Sequence, residues 1–141
     1  MPVSRDVIAN DLVTALHSKL GKDKLDAAVE HILKTTNSYP TSNGSVICAI
    51  FYMRFTVDCQ NKAFIGNAGG IGSIGGGALL GDIYTDDINR LFSATTAFQF
   101  AVTPVYASLV FFDDSSNALG TFQAGAVSVC IGTGGGSGSW H

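Results

Sequence analysis

Ile47-Cys48-Ala49-Ile50-Phe51-Tyr52-Met53-Arg54-Phe55-Thr56-Val57-Asp58 carries the pattern that decides the fold. Ile47, Ala49, Phe51, Met53, Phe55 and Val57 occupy every second position and are all apolar, while Cys48, Ile50, Tyr52, Arg54, Thr56 and Asp58 between them are mixed. Successive side chains point to opposite faces of a strand, so this spacing predicts one long strand with a fully apolar face. Asp58-Cys59-Gln60-Asn61 offers a turn into a second strand near residues 62–67. Alternation returns over 94–103, is interrupted by Pro104, and resumes over 105–112. Asp113-Asp114-Ser115-Ser116-Asn117 reads as a loop, followed by strands over 119–123 and 125–132. Seven or eight strands in so short a span leave almost no room for crossover helices, so the pairing is antiparallel.

Glycine sharpens the architecture. Residues 66–81 hold 8 glycines and residues 132–138 hold 5. Glycine weakens a strand unless backbones approach closely or the sheet bends at a corner. A small closed barrel needs such corners, and closure removes the edges that would aggregate. The expected fold is therefore mainly β, a compact closed eight-stranded antiparallel β-barrel. Bulky inward residues such as Phe51, Met53 and Phe55 favour a filled interior over a ligand cavity.

Upstream of the barrel the period is helical. Ser4 is placed to cap a helix with Ile8, Leu12, Ala15, Leu16 and Leu20 on one face, ended by Gly21. Asp23 is placed to cap a second, with Leu25, Val29, Ile32 and Leu33 on its stripe. The turn formers from Asn37 to Gly44 read as a connection. The chain thus divides into a helical segment (1–39), a linker (40–45) and the barrel (46–141). The helical stripes are expected to pack across the barrel; the competing reading is an interfacial helix on a membrane. The segment has no Trp or Phe and carries 5 Lys/Arg against 5 Asp/Glu, a poor match to interfacial helices.

Composition narrows the function classes. The chain has 141 residues, 46% hydrophobic and only 13% charged, with a formal charge of −3. A chain of this length buries roughly 68–70% of its unfolded surface and needs no metal scaffold. The low charge argues against disorder. The acidic balance argues against nucleic acid, which needs clustered Lys and Arg. No apolar run is long enough to form a transmembrane helix. The start, Met1-Pro2-Val3-Ser4-Arg5-Asp6, lacks the basic and apolar regions of a signal peptide. Cys48, Cys59 and Cys130 share no metal-ligand spacing and read as reduced thiols, with a Cys48–Cys59 bridge conceivable.

Motifs of chemistry are sparse. Gly70-Ile71-Gly72-Ser73-Ile74-Gly75 matches the dinucleotide fingerprint, but that chemistry needs a helix after the last glycine. Gly76-Gly77-Ala78-Leu79-Leu80-Gly81 does not make one. His17 and His31 lie in the helical segment and His141 is terminal, so no triad assembles within the strands. Asp86-Asp87 reads as a cap for a turn or short helix, and Asp113-Asp114 as a solvated hairpin tip. Asn43-Gly44-Ser45 is a formal glycosylation sequon whose Asn-Gly reads as a turn. No catalytic residue, metal ligand or cofactor site is assigned.

One longer pattern stands out. It runs from Gly69-Gly70 through Gly75-Gly76-Gly77-Ala78-Leu79-Leu80-Gly81 to Tyr84-Thr85-Asp86-Asp87-Ile88-Asn89-Arg90-Leu91. Phe98-Gln99-Phe100, Phe111-Phe112-Asp113, Leu119-Gly120 and Gln123-Ala124-Gly125-Ala126-Val127-Ser128 follow, and Gly134-Gly135-Gly136-Ser137-Gly138-Ser139-Trp140 ends it. This string resembles the virulence-associated protein (Vap) family of intracellular actinobacterial pathogens, over some two-thirds of the chain from about Ile50. The resemblance implies an eight-stranded barrel with a filled interior, no enzymatic site and no cofactor. It also implies secretion and an action on host endolysosomal membranes or a host protein partner. The three cysteines and the missing signal depart from that pattern and leave a cytoplasmic location open. The alternative is a small-molecule carrier barrel of lipocalin or avidin type, which would need an internal cavity.

Overall fold

A computed structural model describes residues 9, 10, 13, 21–35, 37–41, 43–49, 52–69, 74–128 and 130–141. Helix α1 spans Lys22–Lys34, and Ala9, Asn10 and Val13 before it are also helical. Nine strands follow: β1 (Ser38–Pro40), β2 (Asn43–Ala49), β3 (Tyr52–Cys59), β4 (Lys62–Ala68), β5 (Gly75–Tyr84), β6 (Ala97–Val102), β7 (Tyr106–Phe112), β8 (Ala118–Ser128) and β9 (Gly132–Trp140). A short helix, α2 (Ile88–Ala94), separates β5 from β6.

The sheet order β5-β2-β3-β4-β9-β6-β7-β8 closes on itself through β5 and β8, giving an eight-stranded barrel with every pairing antiparallel. The three-residue β1 extends the β2 edge of β5, pairing Ser38–Pro40 with Tyr84–Asp82. Two halves share one topology. In each, three hairpin-linked strands are joined by a fourth that returns beside the first, the Greek-key order. The first key is β2-β3-β4 with β5, and the second is β6-β7-β8 with β9. In both, the returning strand is the glycine-rich one.

Those glycines serve close approach. A Cβ at Gly81 would stand 1.9 Å from the Gln123 carbonyl oxygen, and one at Gly136 2.1 Å from that of Asn67. Of the runs read as barrel corners, Gly75, Gly76, Gly77 and Gly81 belong to β5 and the glycines from 132 to 138 to β9, and the lack of side chains there lets neighbouring backbones close.

Phenylalanine fills the interior. Phe55, Phe64, Phe111 and Phe122 are fully buried with Leu79, Ile83, Leu91 and Leu109. Edge-on contacts join Phe64 to Phe98 and Phe111, with centroids 5.4 and 4.9 Å apart, and Trp140 packs on Phe64, Phe92 and Phe111. A second cluster lies outside the wall, where Leu25, Ala28 and Ile32 of α1, together with Ala9, cover Val110 and Phe112. The α1 stripe therefore packs on the barrel as its spacing predicts, although Leu33 turns outward.

Several local readings need correction. The long strand expected over 47–58 is a hairpin, with Ala49 paired to Tyr52. The connection reverses the inward parity: Val46 and Cys48 are buried on β2, but Met53, Phe55 and Val57 on β3, leaving Ile47 exposed. Consecutive apolar residues from 46 to 53 hide the turn, because no polar position marks the change of face. Phe51 and Ile50 lie outside the described residues. Pro40 and Asn43–Ser45, read as linker, belong to β1 and β2. Gly44 is required beside Leu79, whose carbonyl oxygen would lie 2.5 Å from an added Cβ. Residues 118–128 form one strand, not two. Gly21, read as a helix end, is the N-cap of α1, and Asp23 sits within its first turn. The helix expected over 4–20 falls almost wholly outside the described residues. Gln60 and Asn61, both at positive φ, make the predicted tight turn between β3 and β4.

Cysteine pairing also differs from the reading of reduced thiols. Cys48 is bonded to Cys130 with Cα atoms 6.2 Å apart, and Cys59 is free and buried. Burial pushes the Cys59 thiol pKa up, with Asp82 adding to it.

Candidate functional site

The barrel has two ends of opposite character. At one, the chain passes between β3 and β4, through α2, and between β7 and β8, and α1 lies alongside. Asp87 caps α2, its Oδ1 accepting from the Arg90 backbone N–H at 3.0 Å. The Arg90 guanidinium reaches Asp113 Oδ2 at 3.3 Å. Asp113 Oδ1 accepts from the Ser115 and Asn117 backbones, each at 2.9 Å. Lys24 on α1 donates to Asn117 Oδ1 at 2.7 Å, tying the helix to that loop. Burial pushes the Asp113 carboxyl up, but the hydrogen bonds from Asn117 and Ser115 and the Arg90 charge outweigh it and hold its pKa low.

A cavity of about 190 Å³ lies here between the two helices, lined by His31, Asp86, Asp87, Arg90, Ala118 and Leu119. Burial pushes the His31 imidazole below its ordinary value; Asp86 acts to raise it and Arg90 to lower it. One member of each acid pair, Asp87 and Asp113, is thus occupied structurally. Asp87 is a cap, as the sequence predicts, and Asp113 is the anchor of its loop, not a free solvated tip. Among the described residues no three His, Cys, Asp or Glu gather where they could hold a metal.

At the opposite end β2, β4, β6 and β8 finish and β3, β5, β7 and β9 begin, and the sequence that links them is 50–51, 69–74, 103–105 and 129–131. None of these contains a charged residue, and from Ala63 to Gly81 and from Leu91 to Phe112 the chain has none at all. Four apolar side chains stand out from it: Val105 at 74% exposure, Ile74 at 70%, Ile131 at 59% and Ile47 at 57%. Tyr52 is exposed beside them, its hydroxyl donating to Asn67 Oδ1 at 2.6 Å. Leu80 extends the patch along the wall, since it pairs with Gly125, which pairs with Tyr106.

This end is held firmly. The Thr103 Oγ1 accepts from the Tyr106 and Val105 backbones at 3.0 and 3.3 Å, which fixes Val105 outward. The disulfide spans the mouth, joining β2 to the residues before β9, two strands that β3 and β4 separate in the sheet. Ile47 and Ile131 are each next in sequence to a bonded cysteine. Arg54 is exposed on β3 opposite Ile47.

The remaining motifs do not assemble chemistry. Gly70–Ser73 lies outside the described residues, and Gly75 opens strand β5, so no helix follows the glycine fingerprint. Asn43 of the sequon starts β2 opposite Asp58 and is not in a turn. His17 lies outside the described residues. His141 pairs its backbone with Ala63, at 2.8 and 2.9 Å, and its ring lies 3.1 Å from Ser139 Oγ. The inward Trp140 Nε1–H is buried without a hydrogen-bond partner among the described residues. No helix among the described residues is long and apolar enough to cross a membrane. Sequence reasoning assigned none of the exposed residues at the uncharged end a contact role; the signal for them was where charge is missing.

A family model described as Rhodococcus equi virulence-associated protein matches residues 2–141. The match takes in the helical segment as well as the barrel. Among solved structures, the virulence-associated protein VapB from the intracellular pathogen Rhodococcus equi is similar at 43% identity and a TM-score of 0.70, covering 74% of this chain and 96% of that one. VapD from the same organism is similar at 33% identity and a TM-score of 0.69, covering 74% and 97%. Curated proteins returned no match.

Proposed function

The chain belongs to the family of Rhodococcus equi virulence-associated proteins, and from that premise we propose that it is a non-enzymatic barrel acting through its surface on host endolysosomal membranes. The contact face is the uncharged loop end. The observation that carries this reading is the projection of Ile47, Ile74, Val105 and Ile131 from an end without charged connections. Exposed apolar groups gathered at one place mark interaction sites, whereas scattered ones are ordinary.

Three features support it. Asp87 and Asp113 are committed to a cap and a loop anchor, which favours a non-enzymatic role. The ring-packed interior speaks against a carrier that would hold a ligand within the barrel. The Cys48–Cys130 bridge fits a protein delivered into an oxidising compartment, as secretion requires.

Vesicle co-flotation with dye leakage, at neutral and mildly acidic pH, tests the reading. Flotation of the full chain is expected at both. A chain that stays with the unbound fraction under every condition would reject the membrane and leave a protein partner as the target.

A further inference from the structure

The charges of the barrel are unevenly placed, and the unevenness bears on which lipid the loop end suits. Between Asn43 and His141 the acidic residues are Asp58, Asp82, Asp86, Asp87, Asp113 and Asp114, against Arg54, Lys62 and Arg90. Asp58 and Lys62 flank the β3–β4 turn, Asp86, Asp87 and Arg90 belong to α2 and its approach, and Asp113 and Asp114 sit in the β7–β8 loop. All of these lie at the far end or beside it. α1 adds Lys22, Lys24 and Lys34 against Asp23, Asp26 and Glu30, which cancel. Recognition of anionic lipid needs clustered Lys and Arg near the contact face. Among the described residues the loop end offers one, Arg54, on the wall opposite Ile47.

We infer that the loop end is a docking face for the zwitterionic lipid surface of a bilayer, entered by apolar side chains and not by charge. This inference rests on the membrane reading above. In that pose Ile74, Val105 and Ile131 enter the boundary between headgroups and acyl chains. Arg54, the register partner of Ile47, stands further up the wall, at the level of the headgroup phosphates. The acidic far end faces water.

The test is partition of the full chain into phosphatidylcholine vesicles, with and without phosphatidylserine, at low and at physiological ionic strength. Affinities for the two compositions are expected within about fivefold of each other, the effect of a single basic residue near the surface. Added salt should leave them nearly unchanged. Replacing Ile74, Val105 and Ile131 together by Ser should lower partition roughly 100-fold. Because all three are exposed, the variant's melting temperature should stay the same. Binding confined to phosphatidylserine vesicles, or falling steeply with salt, overturns the inference while the membrane reading stands. Absence of binding to both compositions overturns both. If the wild type then self-associates on size exclusion and the triple variant does not, the face belongs to a second copy of the chain.

Discussion

The two ends of this barrel are built from the same strands and held by different physics. The loop end has a covalent link across its mouth, a hydroxyl-braced turn and no charged connection. The far end is held by a helix cap, an Arg90–Asp113 ion pair, and Lys24 reaching from α1 to Asn117. The first kind of construction ignores pH and salt, and the second responds to both. Apolar side chains can be displayed at the loop end because its backbone does not rely on them for anchorage.

Removing the link should give the largest effect. Cys48 and Cys130 are 82 positions apart, so a Cys48→Ala, Cys130→Ala double variant should lose about 4 kcal/mol of stability through the entropy regained by the unfolded chain. Urea denaturation under oxidising conditions measures it. The contrast between the ends fails if wild type and variant share one midpoint.

A smaller loss is expected at the far end. Asp113→Ala leaves the Arg90 charge and the Ser115 and Asn117 backbone donors without their acceptor, at a cost of roughly 2 kcal/mol. Thermal melts in low and high salt should show the difference between wild type and variant shrinking as salt rises. A salt-independent difference would mean that the Arg90 charge contributes little.

The smallest effect concerns His31. It faces Asp86, Asp87 and Arg90 across the cavity, with the Thr35 hydroxyl 3.4 Å from Nδ1 on its own helix. Its pKa is depressed in the folded state, chiefly by burial, so the unfolded chain binds the proton more readily. Stability from this group is complete above the unfolded value of about 6.5 and declines as pH falls toward the lower folded value. His31→Gln should flatten the melting temperature over that range. An unchanged slope would assign the pH dependence elsewhere.

Legibility followed the clarity of each local pattern. The α1 stripe and strands β6 and β7 were readable because apolar residues recur at one period between clear turn signals. The β2–β3 hairpin was not, since residues 46–53 are apolar on both faces and parity carries no information there. The strand identity of residues 132–140 was hidden because glycine has no strand preference of its own; Gly136 is dictated by the Asn67 carbonyl on β4, distant in sequence. The disulfide was hidden for a similar reason, as its partners meet only once the barrel has closed. The far-end cap at Asp87 was legible locally, whereas the Arg90–Asp113 contact between α2 and the β7–β8 loop was not. The uncharged face was visible only as a gap in the distribution of charge.

The shared topology of the two keys has a consequence for how the molecule is made. β9 lies between β4 and β6, pairing Phe64 with Trp140 on one side and Phe100 with Gly134 on the other. It is the last of these strands to be synthesised. Until it arrives, the nascent chain carries two unpaired strand edges, each ready to pair with the wrong partner. Assembly therefore waits on contacts far apart in sequence, which slows folding. The nine residues of β9 act as the keystone, and a chain lacking them would expose both edges at once.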